Sequence, residues 1–140
     1  MVNNALATLI KTVETAFMGR SWYGISATKT LAVLHWQHIN LKPSGTTNSI
    51  AIILGHMISW RIFAFEKIAG NVDFDIAIDS EVNWPDIIIN SEKGWGGLLI
   101  EFQQTHERLM QTVIPREDNF LKKHSSEKGL QFPFFDLWSF

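Results

Sequence analysis

The apolar positions at the start of the chain recur at helical spacing. Val2, Leu6, Leu9, Val13 and Ala16 step by four and three, and Ala5, Ile10 and Phe17 widen the stripe. This is the period of a helix with one face on a core, and Gly19 is placed to end it. Residues 19–24, with glycine at both ends, then read as a connection. Ser26 can cap a short helix to about His35, with Leu31 and Leu34 on its apolar edge. Asn40 to Asn48 holds a proline, a glycine and several turn-forming polar residues, which predicts a loop. Ser49 caps a longer helix that reaches about Ala69 and stops at Gly70-Asn71. Its polar side chains are few: His56, Ser59, Arg61, Glu66 and Lys67. A helix apolar on most sides is covered on most sides, so this one is expected at the centre of a bundle or against a second subunit.

Asn71 to Gly94 is less regular. Val72 to Asp79 alternates like a strand, but a lone short strand finds no partner in this sequence, so an ordered loop is expected. Trp84-Pro85 breaks any helix there, and a loop this long in a compact domain is often functional. Trp95, Leu99, Phe102, His106, Leu109 and Val113 then form a seam on a helix that Pro115 ends. Gly94-Trp95-Gly96-Gly97 reads as that helix's start, since a nucleotide loop would need a preceding strand. Arg116 to Gly129 is polar and opens a further helix; the stretch from Phe132 to Phe140 is strongly apolar. Three long helices and a short one in the first crossover predict an all-α bundle in a single domain spanning 1–140.

Composition narrows the function classes. The 140 residues are 46% hydrophobic and 19% charged with a net charge of -2, ordinary for a globular domain of this length. Such a charge provides no basic footprint for nucleic acid and no polybasic membrane signal. The longest apolar run, Ile50 to Leu54, is far short of the roughly 20 residues a membrane span needs. Met1 to Ile10 lacks the pattern of a signal peptide, and a cytoplasmic location is expected. There is no cysteine, which removes disulfides, thiolate nucleophiles and thiolate metal sites. The 17 aromatics (ten Phe, six Trp and one Tyr) predict an aromatic-lined core or cavity.

Without cysteine, the metal-ligand candidates are His, Asp and Glu. His56 shares a helix face with Ile52, Trp60 and Phe63, and His106 takes a seam position on the last long helix. Imidazole is the commonest protein metal ligand, and bundle interiors host such sites. Each also reads as a buried neutral histidine satisfied by hydrogen bonds. His35 and His38 chelate only if one helix carries both, and Asn40 and Pro43 argue against that. His124, among lysines, reads as solvated surface. Asp73, Asp75, Asp79 and Glu81 lack the spacing of a calcium loop and read as a solvated turn. The zinc-protease, nucleophile-elbow and P-loop motifs are all missing.

Several of these residues together resemble a family. Trp22-Tyr23-Gly24-Ile25-Ser26, Leu31 and Leu34, Lys42-Pro43, Ser49-Ile50 with Ile53-Leu54-Gly55-His56 and Trp60, Trp84-Pro85, and Trp95 with Leu98, His106 and Leu109 are similar to the DinB-like (YfiT-like) superfamily. The most specific piece is the run from Ser49 to Gly55-His56 and Trp60. The resemblance spans about residues 2–125 and implies an up-down-down-up four-helix bundle with one long crossover. It also implies a divalent metal (Zn, Ni, Mn or Fe) held by three histidines, and in some members thiol-transferase or related metal-dependent activity. His56 matches the first ligand. The other two, an H-x-x-x-H pair on the last helix, have no match among residues 126–140, so the last helix is expected to be short or incomplete and the metal site partial.

Two functions are therefore carried forward. One is a DinB-like metal-dependent enzyme, transferase-like or hydrolase-like, with His56 and, where the bundle brings it near, His106 as ligands and a pocket lined by Trp22, Trp60 and Trp95. The other is a non-catalytic bundle that binds a small molecule or assembles as a homodimer. The apolar tail, with six large apolar residues in the nine positions from Phe132 to Phe140, is expected to pack into a groove of the bundle or against a partner chain.

Overall fold

A computed structural model of the chain describes residues 4–21 and 24–121. The expected features on Trp22, His124 and the apolar tail lie outside these residues. The described part is mostly helical: α1 (Ala5–Met18), a two-residue hairpin β1 (Arg20–Ser21) and β2 (Gly24–Ile25), α2 (Ala27–Ala32), α3 (Ile50–Ala69) and α4 (Glu92–Val113). The hairpin pairs Arg20 with Ile25 and Ser21 with Gly24 in antiparallel register. It falls at the connection expected between Gly19 and Gly24 and runs one residue past it, to Ile25.

The long helices start and stop where capping chemistry dictates. Ser49 accepts a hydrogen bond from the Ile52 amide at the head of α3, and Ser91 accepts one from Gly94 at the head of α4. Each satisfies an amide that has no partner within its helix. Gly70 ends α3 with φ 99°, a left-handed conformation that side chains other than glycine's resist. α2 ends at Ala32, shorter than expected, and a single 3₁₀ turn (Trp36–His38) follows. Ser26 takes the cap position of α2, yet its hydroxyl makes no cap bond and is buried without a partner among the described residues.

The buried face of α1 is rotated from the one read from the sequence. Leu6 and Phe17 are buried and Ile10 and Val13 half-buried, whereas Leu9 is 49% exposed. In α4 the buried set includes Leu98, Thr105 and Met110 as well as the expected Trp95, Phe102, His106 and Val113. The apolar band is broader than a single seam because α4 packs on α3 along one side and meets Phe17 of α1 on another.

The contacts define the helix directions. Arg61 donates to the Phe102 carbonyl at 2.8 Å and Glu66 pairs with Arg108 at 3.6 Å, so α3 and α4 run parallel. α1 runs opposite to them: Phe17 near its end touches Phe102 and His106, while the Ala5 and Leu6 amides at its start donate to Asp118 beyond α4 at 3.1 and 3.0 Å. The three long helices are thus up-down-down. A parallel pair needs a long return, and residues 70–91 supply it as turns and coil with no strand. Asn40 ties this return to the first loop by donating to the Ile89 carbonyl at 2.7 Å and accepting from its amide at 3.0 Å. The core centres on Phe17, Ile39, Leu54, Ile58, Trp95, Leu98 and Phe102.

Candidate functional site

Gly55 brings the crossover down onto α3. A Cβ at this position would lie 2.5 Å from the Ile87 side chain and 2.6 Å from the Pro85 ring, so only glycine leaves room for the crossover to pass directly over the helix. The neighbouring residue, His56, then meets the loop at bonding distance. Its Nδ1 lies 2.8 Å from the Asn83 carbonyl oxygen, an obligate acceptor, so Nδ1 carries the proton and donates. Nε2 is left as a lone-pair nitrogen with no hydrogen bond among the described residues. Trp84 stacks on the imidazole with centroids 3.7 Å apart and planes 7° from parallel, and Trp60 meets its edge at 6.2 Å.

Asn83 organises this cluster and is itself buried. Its side-chain oxygen accepts from Trp60 Nε1 at 2.8 Å, its side-chain nitrogen donates to the Ile78 carbonyl at 2.6 Å, and its amide meets the Ser80 hydroxyl at 3.2 Å. One residue therefore links α3 to two points of the crossover. The sequence reading passed over it. No local signal marks it, because Ser80, Glu81 and Asp86 make the surrounding stretch polar and the bond that ties it to α3 runs to Trp60, 23 residues away.

His106 sits elsewhere. It is 2% exposed, stacked on Phe17 with centroids 3.7 Å apart, and neither ring nitrogen has a partner among the described residues. Burial, with the nearby Arg61 guanidinium adding to it and Glu107 opposing, lowers its pKa to about 4, so the ring is neutral at pH 7. Arg61 is lowered to about 10 by burial and remains charged at neutral pH. It lies over the faces of Phe102 and Phe17, at 4.0 and 4.8 Å from their centroids, where ring quadrupoles replace part of its lost hydration.

The two candidate histidines are not brought together. In the parallel register of α3 and α4, His106 lies level with residues 64 and 65 of α3. That is about nine residues beyond His56, or roughly 13 Å at 1.5 Å per residue. Two imidazoles on one zinc each bond at about 2 Å. No group of three His, Asp or Glu that could hold a metal ion forms among the described residues. His35 and His38 are both exposed, on either side of the 3₁₀ turn.

The tryptophans expected to line one pocket serve different places. Trp60 is half-buried beside His56, whereas Trp95 is 6% exposed and belongs to the core. A shallow apolar groove of about 190 Å³ opens instead between α2 and α3, walled by Leu31, Ile50, Ile53, Leu54 and Met57, with Phe102 of α4 at its floor. A larger, open depression of about 520 Å³ lies at the start of α1 around Leu6, Ile10, Ile114 and Asp118, away from both histidines. No helix among the described residues is long and apolar enough to cross a membrane.

Compared with protein-family models, curated proteins and solved structures, the chain matches none.

Proposed function

We propose that the chain is a DinB-like helical bundle whose crossover orients His56 as a divalent-metal ligand. The observation that carries this reading is the Nδ1–H bond from His56 to the Asn83 carbonyl at 2.8 Å. Metal-binding histidines characteristically donate their other ring N–H to a carbonyl or carboxylate, which orients the ring and raises its basicity. The up-down-down order of the three long helices, with a long crossover between α3 and α4, supports this reading, because the family's topology requires that order of its first three helices. A cytoplasmic location accompanies this reading.

The donor set fits one ligand rather than a complete centre. Catalytic zinc keeps three protein ligands and an open position, and the described residues do not assemble three donors. No catalytic step is therefore assigned, and metal-dependent transfer or hydrolysis stands as the reaction class the family resemblance implies. The test is metal content of the purified chain, with added Zn²⁺ or Ni²⁺. Stoichiometric metal in the wild type that is lost in His56→Ala supports the reading; metal that remains at full occupancy in His56→Ala overturns it.

A second reading is a non-catalytic module for a small apolar ligand or for homodimer formation. The groove between α2 and α3 favours it, because Ile53 and Met57 on its wall are 43% and 37% exposed. Sedimentation across a concentration series, with and without Ile53→Asp, tests it: a monomer at every concentration that binds no apolar dye removes this reading.

A further inference from the structure

We infer that Asn83 is the positioning residue of the His56 site, the one that selects which imidazole nitrogen is offered to a ligand. The inference rests on the reading of His56 as a ligand for its purpose, though not for its geometry. An imidazole in water exchanges its proton between two nitrogens, and only the deprotonated one can bind a cation or accept a proton. Which one is free is set by the hydrogen bond the other makes.

Here that bond runs to a main-chain carbonyl on a loop, and a loop carbonyl is only as well placed as its backbone. The Asn83 backbone is held from both sides by its own side chain. The side-chain oxygen accepts from Trp60 Nε1 on α3, four residues along from His56 and so on the same helix face, and the side-chain nitrogen donates back to the Ile78 carbonyl of the crossover. The Asn83 amide donates to the Ser80 carbonyl at 3.0 Å and to the Ser80 hydroxyl at 3.2 Å, and the Trp84 ring that follows lies flat on the imidazole. The carbonyl therefore faces Nδ1 because the Asn83 side chain is anchored to the helix that carries the histidine. Nε2 is thereby presented as the lone-pair nitrogen.

An Nε2 lone pair held this way takes an electron-pair acceptor, which under the proposed function is a divalent cation for which His56 supplies one donor. Ser80 and Trp60 act with Asn83, Ser80 on its amide and Trp60 on its side-chain oxygen.

The experiment is nitrogen-15 NMR of the His56 ring in the full chain, above pH 8, for wild type, Asn83→Ala, Trp60→Phe and Ser80→Ala. The wild type is expected to show a single tautomer with the proton on Nδ1. Asn83→Ala is expected to give a mixture of both tautomers, and Trp60→Phe a smaller shift in the same direction. His106, roughly 13 Å further along the bundle at 1.5 Å per residue, should keep its spectrum. A purely structural role for Asn83 would lower the melting temperature and leave the His56 tautomer unchanged, and that result overturns the inference. Should Asn83→Ala not fold, Trp60→Phe and Ser80→Ala decide the matter by the same readout, and an unshifted tautomer in both overturns it.

Zn²⁺ added to the same samples separates this inference from the metal reading. If Zn²⁺ leaves the wild-type His56 Nε2 signal unmoved, the metal reading fails while the tautomer assignment stands or falls on its own data. If Zn²⁺ moves it, Asn83→Ala is expected to bind roughly 10–100-fold more weakly, the usual effect of losing a residue that orients a ligand. Equal affinity in the two proteins counts against the positioning role.

Discussion

His56 and His106 show how the same side chain acquires different chemistry from its surroundings. His56 is half-buried, with a donor bond, an aromatic stack and an Nε2 that makes no hydrogen bond among the described residues. His106 has a stack on Phe17 and no hydrogen bond among the described residues. Burial disfavours the charged form of His106 and the Arg61 cation adds to this, so its pKa is depressed. The sign follows directly. Above pH 6.5 the ring is neutral in both folded and unfolded chains. Between 6.5 and about 4 the unfolded chain takes up a proton that the folded one refuses, so stability falls as the pH drops through this window. The loss approaches about 3 kcal/mol, from the fall from 6.5 to about 4 at about 1.36 kcal/mol per pK unit. Urea denaturation at pH 7 and pH 4.5 should show a smaller decline for His106→Leu than for the wild type; equal declines would place the acid sensitivity elsewhere.

At the level of the elements, the ends of the helices are held by residues close in sequence for α3 and α4 and by a distant one for α1. Ser49 and Ser91 cap their helices three residues away, and of the two the Ser49 cap is the one expected from the sequence. The start of α1 is capped by Asp118, 113 and 112 residues from the amides it accepts from. No window of sequence reveals that bond. A carboxylate at a helix N-terminus also meets the positive end of the helix dipole. Asp118→Ala is expected to lower stability by about 1 kcal/mol, the usual effect of removing a cap, and Asp118→Asn by less, because the amide oxygen still accepts. Thermal melts of the three proteins at one pH check this order. The short α2 carries the complementary lesson: it was expected to reach about His35 but stops at Ala32, since an apolar edge of Leu31 and Leu34 is no stop signal and packing onto the core fixes the end.

For the whole molecule, the parallel pairing of α3 and α4 is the decisive feature. It fixes the heights of the two histidines, roughly 13 Å apart along the bundle at 1.5 Å per residue, and so separates a surface site from a core position. The expected consequence is independence. If His56 is a metal ligand as proposed, Zn²⁺ or Ni²⁺ binding by calorimetry should be lost in His56→Ala and stay within about twofold in His106→Leu, as for sites without a shared partner. A comparable loss in both would mean that one ion draws on both rings. The same pairing requires the long return over Gly55, and that return carries Asn83 and Trp84 to His56.

The all-α class, the bounds of α3, the ordered crossover and the helical start at Gly94 to Gly97 were legible in the sequence. Each follows from local physics: apolar period, a hydroxyl cap, a left-handed glycine, a proline that stops a helix. His56 was legible as a residue of interest from its neighbours on one helix face. What the sequence left open was decided by tertiary packing. The face of α1 turned to bury Phe17 and expose Leu9, Trp95 went into the core rather than a pocket, and His106 was sealed beside Arg61. Asn83 became the anchor of the site. Periodicity states that a side chain lies on an apolar face, but height along a bundle and the partner across a loop depend on contacts between residues far apart in the chain, and only the packed structure sets those.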